Sequence, residues 1–416
     1  MAAFLLDRGL AAFLSGCDRR TARGNEEAMS KAGWVQPVSA GVLASVVGFA
    51  STFTLVLQGL TAMGATPLQA ASGLAAICLI KGLVGLVLCW RWRLPVAVAW
   101  STPGAALLIA TGTLPGGFAE AVGAFLVTAA LIVTAGLWRR LADWVAAIPP
   151  ALASAMLAGI LLNLCLAPLR ALQTLPLEAG AILVTWLIAW RFARLYAVPL
   201  ALVTTVVAIA LTVPLPAGSF ADAGPHLEWV LPSFSLQAVI GVAIPLFLVT
   251  MAAQNLPGLA VMTSNGYRLP VRPVFVATGA ASGVIALFGG LTINLAAITA
   301  ALCAGPEAHP DPARRWIAGV TGAVGYVVLG LGAGLAAAFI AAAPPVLIQA
   351  VAGLALLGSL GGALAGALAR EAERIPAILT FVTTASGLTV AGIGSPFWGL
   401  VFGGAAMALA GWRSAP

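Results

Sequence analysis

Two short strings, Trp100-Ser101-Thr102-Pro103 and Thr292-Ile293-Asn294-Leu295, carry the residue types that bind an anion inside an apolar environment. In the first, the extended-looking run 96–100 leads into Ser101 and Thr102, and Pro103 then opens a short helix. A hydroxyl before proline marks a helix start, because its oxygen satisfies a free backbone N–H and proline at the first position has no N–H to lose. A helix start within an apolar stretch leaves unpaired N–H groups and a partial positive charge aimed at one spot, which suits an anion. In the second string, Leu291-Thr292-Ile293 reads as strand, Asn294 as the cap and Leu295 as the first residue of the short helix. Gln58 and Gln254 lie 196 residues apart, and Thr102 and Asn294 lie 192 apart, so polar groups recur at nearly one offset; Asn255 stands beside Gln254.

Two ionisable residues fall in or beside apolar runs. Lys81 is the sole basic residue well inside one, and Glu120 sits at the edge of another. A charge at the centre of a membrane helix costs about 2.5–3.5 kcal/mol on insertion scales, so each is a candidate for substrate attraction or proton coupling. The plainer roles stand beside these: Lys81 reaching for the cytoplasmic face, Glu120 complementing a helix dipole, and the three amides binding helices together. Trp100, Phe49, Phe53 and Phe288 are candidates to wall an aromatic ring, with core packing as the alternative for each. The five cysteines have no metal-ligand spacing and the two histidines lie in loop-like stretches, so no metal, cofactor, disulfide or enzymatic centre is expected.

The elements that must position these residues follow from composition. Of 416 residues 61% are hydrophobic and 8% charged, against about 25% charged in soluble chains. This is the signature of an all-α polytopic membrane protein. Apolar runs are expected near 38–61, 67–90, 95–110, 119–137, 149–166, 177–191, 198–213, 236–260, 272–288, 291–304, 315–339, 345–368, 374–389 and 396–412, fourteen in all. With the N-terminus in the cytoplasm, every Lys and Arg except Arg170 and Lys81 falls on the cytoplasmic side, as the positive-inside bias requires. The net charge of +7 therefore reports topology and not nucleic-acid binding. Residues 1–33 are expected to be a cytoplasmic tail, with Met29 as an alternative start. Residues 34–213 and 236–416 are expected to form two seven-span halves joined by an extracytoplasmic loop, 214–235. An odd number of spans per half inverts one half relative to the other, and interrupted spans at matching positions point to a transporter's substrate site.

The strings Gln254-Asn255-Leu256-Pro257-Gly258-Leu259-Ala260, Phe288-Gly289-Gly290 with Asn294, and Gly394-Ser395-Pro396-Phe397-Trp398-Gly399-Leu400 resemble the benzoate:proton symporter (BenE-type) family from about Pro37 onward. That family is similar in fold to uracil permease and to sulfate and bicarbonate transporters. The resemblance implies a core of spans 1–4 and 8–11, a gate of spans 5–7 and 12–14, and spans 3 and 10 each built as half strand, half helix. It also implies proton-coupled uptake of benzoate or a similar small aromatic carboxylate across the bacterial inner membrane, with both termini cytoplasmic. The substrate-binding candidates are Gln58, Trp100, Ser101, Thr102, Gln254, Asn255, Thr292 and Asn294. One departure stands out: uracil permease relatives carry glutamates in spans 8 and 10, where this chain has Gln254, Asn255 and Asn294. The coupling candidates are accordingly Lys81, Glu120 or a substrate that crosses as the neutral acid. A nucleobase or inorganic-anion transporter of the same fold and a passive anion channel remain the alternatives. The expected partners are the carboxylate, protons and membrane lipid, with a homodimer left open and no nucleic acid.

Overall fold

The structure, a computed structural model, describes residues 33–138, 140, 149–212, 224–296, 298–390 and 393–413. The expected N-terminal tail, except Gly33, and the first part of the linking loop lie outside these residues. The first half comprises α1 (Val35–Ala62), α2 (Pro67–Trp92), β1 (Val98–Trp100), α3 (Thr102–Thr111) and α4 (Gly117–Leu137). It continues with α5 (Pro150–Cys165), α6 (Ala167–Thr174), α7 (Pro176–Phe192) and α8 (Ala197–Thr212). The second half opens with α9 (Leu236–Ser264), α10 (Val271–Leu287), β2 (Ile293–Leu295) and α11 (Ile298–Ala304). It ends with α12 (Trp316–Leu331), α13 (Ala333–Ala342), α14 (Pro345–Leu368), α15 (Arg374–Ala385) and α16 (Ser395–Arg413).

Among the described residues seven helices are long and apolar enough to cross a bilayer, and α12 with α13 makes an eighth, bent by 54°. That bend falls at Gly332, inside what the sequence suggests is one straight span. Local signals account for the helix ends. Thr66 and Gln69 form a capping box ahead of Pro67 at the start of α2. At the other end Arg93 adopts a left-handed backbone, φ 52°, and lays its guanidinium 4.1 Å from the centre of the Trp316 ring. That contact compensates a conformation that non-glycine residues seldom adopt.

The main packing partners are distant in sequence: α2 lies along α12, α4 along α10, α5 along α14, and α1 against both α12 and α3. Small residues permit the approach. A methyl at Gly41 of α1 would come within 2.9 Å of the Gly322 backbone of α12, the close crossing expected of glycine-rich spans. Gly362 differs, since a methyl there would meet open space.

The two broken spans meet where the halves come together. β1 and β2 pair antiparallel in the register Val98↔Leu295, Ala99↔Asn294, Trp100↔Ile293. Here one expectation is corrected: Asn294 is not a helix cap and Leu295 does not begin a helix, because the extended backbone runs on to Ala296 and α11 starts at Ile298. The cause is a set of non-local partners for the strand's N–H groups. Ile293 N donates to Ser282 Oγ (2.9 Å), Leu295 N to Asn255 Oδ1 (2.9 Å) and Ala296 N to the Ala97 carbonyl (2.9 Å). With these donors satisfied across the sheet and by neighbouring helices, nothing drives the chain to coil earlier.

Candidate functional site

Beside this two-stranded crossing lies a cleft of about 260 Å³, smaller than the pockets that hold drug-sized ligands. Its walls come from both broken spans, through Trp100, Thr102, Ala296 and Thr299, and from α1, through Gly48 and Thr52. Lys81 of α2, Gln254 of α9, Tyr326 of α12, Arg194 from the chain before α8, Val198 of α8 and Ser359 of α14 complete the lining. Among the described residues no carboxylate lines it.

The α3 half of the site is built as its local sequence requires. Ser101 caps the helix, its Oγ accepting from Gly104 N at 3.1 Å, while Ser101 N donates to the Thr292 carbonyl at 3.1 Å. Thr250 Oγ1 of α9 donates to the same Ser101 Oγ at 2.8 Å, fastening α9 to the helix start. Ser101 is wholly buried and positions the site from behind, whereas Thr102 lines it. Replacing Ser101 with Ala should lower stability by about 1–2 kcal/mol, from the lost cap and the orphaned Thr250 hydroxyl; thermal unfolding in detergent measures it, and an unchanged midpoint would refute the assignment.

Trp100 forms the floor. Its side chain is 2% exposed, its Nε1 donates to Thr52 Oγ1 at 2.9 Å, and its ring meets Phe49 and Tyr326 edge-on at centroid distances of 6.1 and 5.8 Å. Phe49 stacks in turn on Phe53 at 4.9 Å. Lys81, 1% exposed, places Nζ 3.7 Å from the centre of the Trp100 ring and 3.2 Å from that of Tyr326. Nζ has no hydrogen-bond partner among the described residues. The site thus places a buried lysine amino group against two aromatic faces.

The amides divide. Gln254 and Asn255 fall in a π-type turn, Met251–Asn255, inside α9, a distortion often found at functional positions. Gln254 lines the cleft, and Asn255, buried behind it, holds β2 through Leu295 N. Asn294 and Thr292 are fully buried, and each keeps one side-chain oxygen without a partner. Asn294 Nδ2 is engaged by the Leu295 carbonyl at 2.7 Å. The strand register puts Asn294 on the same sheet face as Ala99 and Ala296, both of which line the cleft.

Other candidates lie elsewhere. Gln58 lines a second cavity of about 480 Å³ between α1, α2, α13 and α14, with Thr61 and Gln349. Phe288 packs on Trp229 next to the linking loop. Glu120, 5% exposed, accepts from Gly116 N at 2.7 Å and so completes the start of α4, away from the cleft lining. Sequence reasoning missed Tyr326, Thr52, Thr250 and Ser282; a tyrosine within a glycine-rich span carries no local mark, and only the packing of α12 against α1 and α2 reveals its place.

Comparison with known proteins gives a consistent picture. A family model described as benzoate membrane transport protein (BenE) matches residues 33–409. The inner membrane protein YdcO of Escherichia coli is 42% identical over 365 residues, 88% of this chain and 93% of that protein. The benzoate membrane transport protein of Acinetobacter baylyi is 34% identical over 371 residues, 88% and 92% of the two chains. Among solved structures, the transmembrane domain of a cyanobacterial bicarbonate transporter, BicA, superposes with a TM-score of 0.57 at 20% identity, covering 84% of this chain and 97% of that one. The murine solute carrier 26 member A9 anion transporter, inward-facing, gives 0.56 at 12% identity over 89% and 67%. The fold is that of these anion-transporter membrane domains.

Proposed function

This chain belongs to the benzoate membrane transport protein (BenE) family, and we propose that it is a symporter that brings benzoate, or a similar small aromatic carboxylate, into the cell with a proton. The observation that carries the reading is Lys81, a buried lysine in a small cleft walled by Trp100 and Tyr326, with neither a hydrogen-bond partner for its Nζ nor a carboxylate in the lining among the described residues. An aromatic acid brings both complements: a carboxylate for the cation and the α3 helix start, and a ring for the aromatic walls. Nucleobases lack the charge, and sulfate or bicarbonate lacks the ring. Residues 34–213 and 236–416 act as inverted halves, whose spans 1–4 and 8–11 form the core and whose spans 5–7 and 12–14 form the gate. Both termini then face the cytoplasm of a bacterial inner membrane, and alternating access arises as the gate moves against the core around the cleft.

Uptake of labelled benzoate into proteoliposomes tests this. Accumulation above the external concentration under an inward proton gradient, abolished by a protonophore, is expected; simple equilibration would indicate a passive channel instead. Competition by substituted benzoates, and not by nucleobases or sulfate, is the expected selectivity. In the same assay Asn294→Ala and Thr102→Val should each weaken benzoate binding by about 1–3 kcal/mol, the range for an unpaired polar partner. Wild-type affinity in both would move the substrate away from the crossing of the broken spans.

A further inference from the structure

We propose that Lys81 carries the coupled proton, crossing as an ammonium only when paired with the substrate carboxylate, so that one proton and one carboxylate move together without net charge. This rests on the symporter reading and names the group responsible for coupling.

Among the described residues the lining of the cleft has no aspartate, glutamate or histidine. The groups able to titrate or bear charge around Lys81 are few: Cys78 one turn earlier on α2, Tyr326 on α12, Cys303 on α11 and Arg194 from the chain before α8. None of these is a carboxylate that would hold the ammonium in place. Glu120 is occupied at the start of α4, accepting from Gly116 N.

A lysine so placed has two environments. Against the faces of Trp100 and Tyr326 its Nζ has no hydrogen-bond partner among the described residues. Moving an unpaired charge through a membrane-buried position is costly, so the carrier without substrate returns with the free amine. When the cleft opens outward the amine takes a proton from water and the ammonium binds the carboxylate; the neutral pair then crosses. On the cytoplasmic side the carboxylate leaves, the ammonium gives its proton to water, and the amine settles back on the rings. No bond other than N–H is made or broken, and the net result is one proton and one carboxylate moved inward.

The test compares wild type with Lys81→Arg and Lys81→Met in proteoliposomes, with folding checked by thermal unfolding. In wild type a one-unit pH gradient should drive about tenfold accumulation, one decade of substrate for one of protons, and a potassium-diffusion potential should leave it unchanged. Arginine cannot release its proton, so Lys81→Arg should keep exchange of internal for external benzoate while losing gradient-driven accumulation. Lys81→Met should bind benzoate at least about tenfold more weakly and should not accumulate it. Proton-driven accumulation by a folded Lys81→Arg or Lys81→Met protein, or a wild-type uptake that responds to membrane potential, would overturn the assignment. Failure of wild type to bind benzoate at all would instead reject the substrate reading.

Discussion

Trp100→Ala should remove about 3–5 kcal/mol of stability, the range for truncating a buried large aromatic, and should abolish measurable benzoate binding. The indole is 2% exposed and holds four neighbours together: the Thr52 hydroxyl, the edges of Phe49 and Tyr326, and Lys81 Nζ 3.7 Å from its ring centre. Removing it opens a void beside the strand crossing and takes away one of the two faces on which the lysine rests. Trp100→Phe separates the contributions. It keeps a ring under Lys81 and loses the bond to Thr52, so it should retain most of the affinity and lower stability by about 1 kcal/mol. Thermal unfolding and equilibrium benzoate binding on both variants decide the matter; a Trp100→Ala protein that melts and binds as wild type would remove Trp100 from the site.

Where the determinants are local, the sequence is a sound guide. Ser101-Thr102-Pro103 announces the start of α3 because capping and proline geometry act within one turn, and the long apolar runs fall close to their expected boundaries because span length follows from hydrophobic thickness. Lys81 stands out for a similar reason, as a lone basic residue far inside an apolar run. Asn294 misleads because the strand's continuation depends on Ser282, Asn255 and Ala97, which are 11, 40 and nearly two hundred residues away.

Helical phase explains the placement of Gln58. It follows Thr52 by six positions on α1, about 9 Å further along the axis and well around the helix at 3.6 residues per turn, so one residue lines the cleft and the other the separate cavity near α13 and α14. A matching sequence offset does not reveal which helix face looks inward, because that is set by packing partners. Tyr326 shows the converse. Its place above Lys81 comes from the glycine-lined crossing of α1 and α12, where a methyl on Gly48 would collide with the Tyr326 hydroxyl.

Arg315→Ala should destabilise the protein by about 3 kcal/mol and loosen α11, although this arginine reads in sequence only as one more cytoplasmic loop charge. Its guanidinium is buried and donates to three backbone carbonyls: Nε to His309 at 2.7 Å, Nη1 to Ala304 at 2.9 Å and Nη2 to Pro310 at 3.4 Å. Ala304 is the last residue of α11, so the cation sits where a helix leaves unpaired carbonyls and a partial negative charge. Tyr267 secures the same loop by donating its hydroxyl to the Pro312 carbonyl at 2.9 Å. Bonds to charged groups contribute about 1.5–3 kcal/mol each, and truncation would strand the acceptors in a buried turn. Arg315→Lys should recover less than half of the loss, because an ammonium cannot present the planar fork that reaches three carbonyls. Since α11 supplies Thr299 to the cleft, benzoate affinity should fall with stability in the alanine variant. Hydrogen exchange gives the site-specific measure: amides of residues 300–304 should lose protection while those of α3 keep theirs. Wild-type melting and unchanged protection in α11 would show that the loop stands without its arginine.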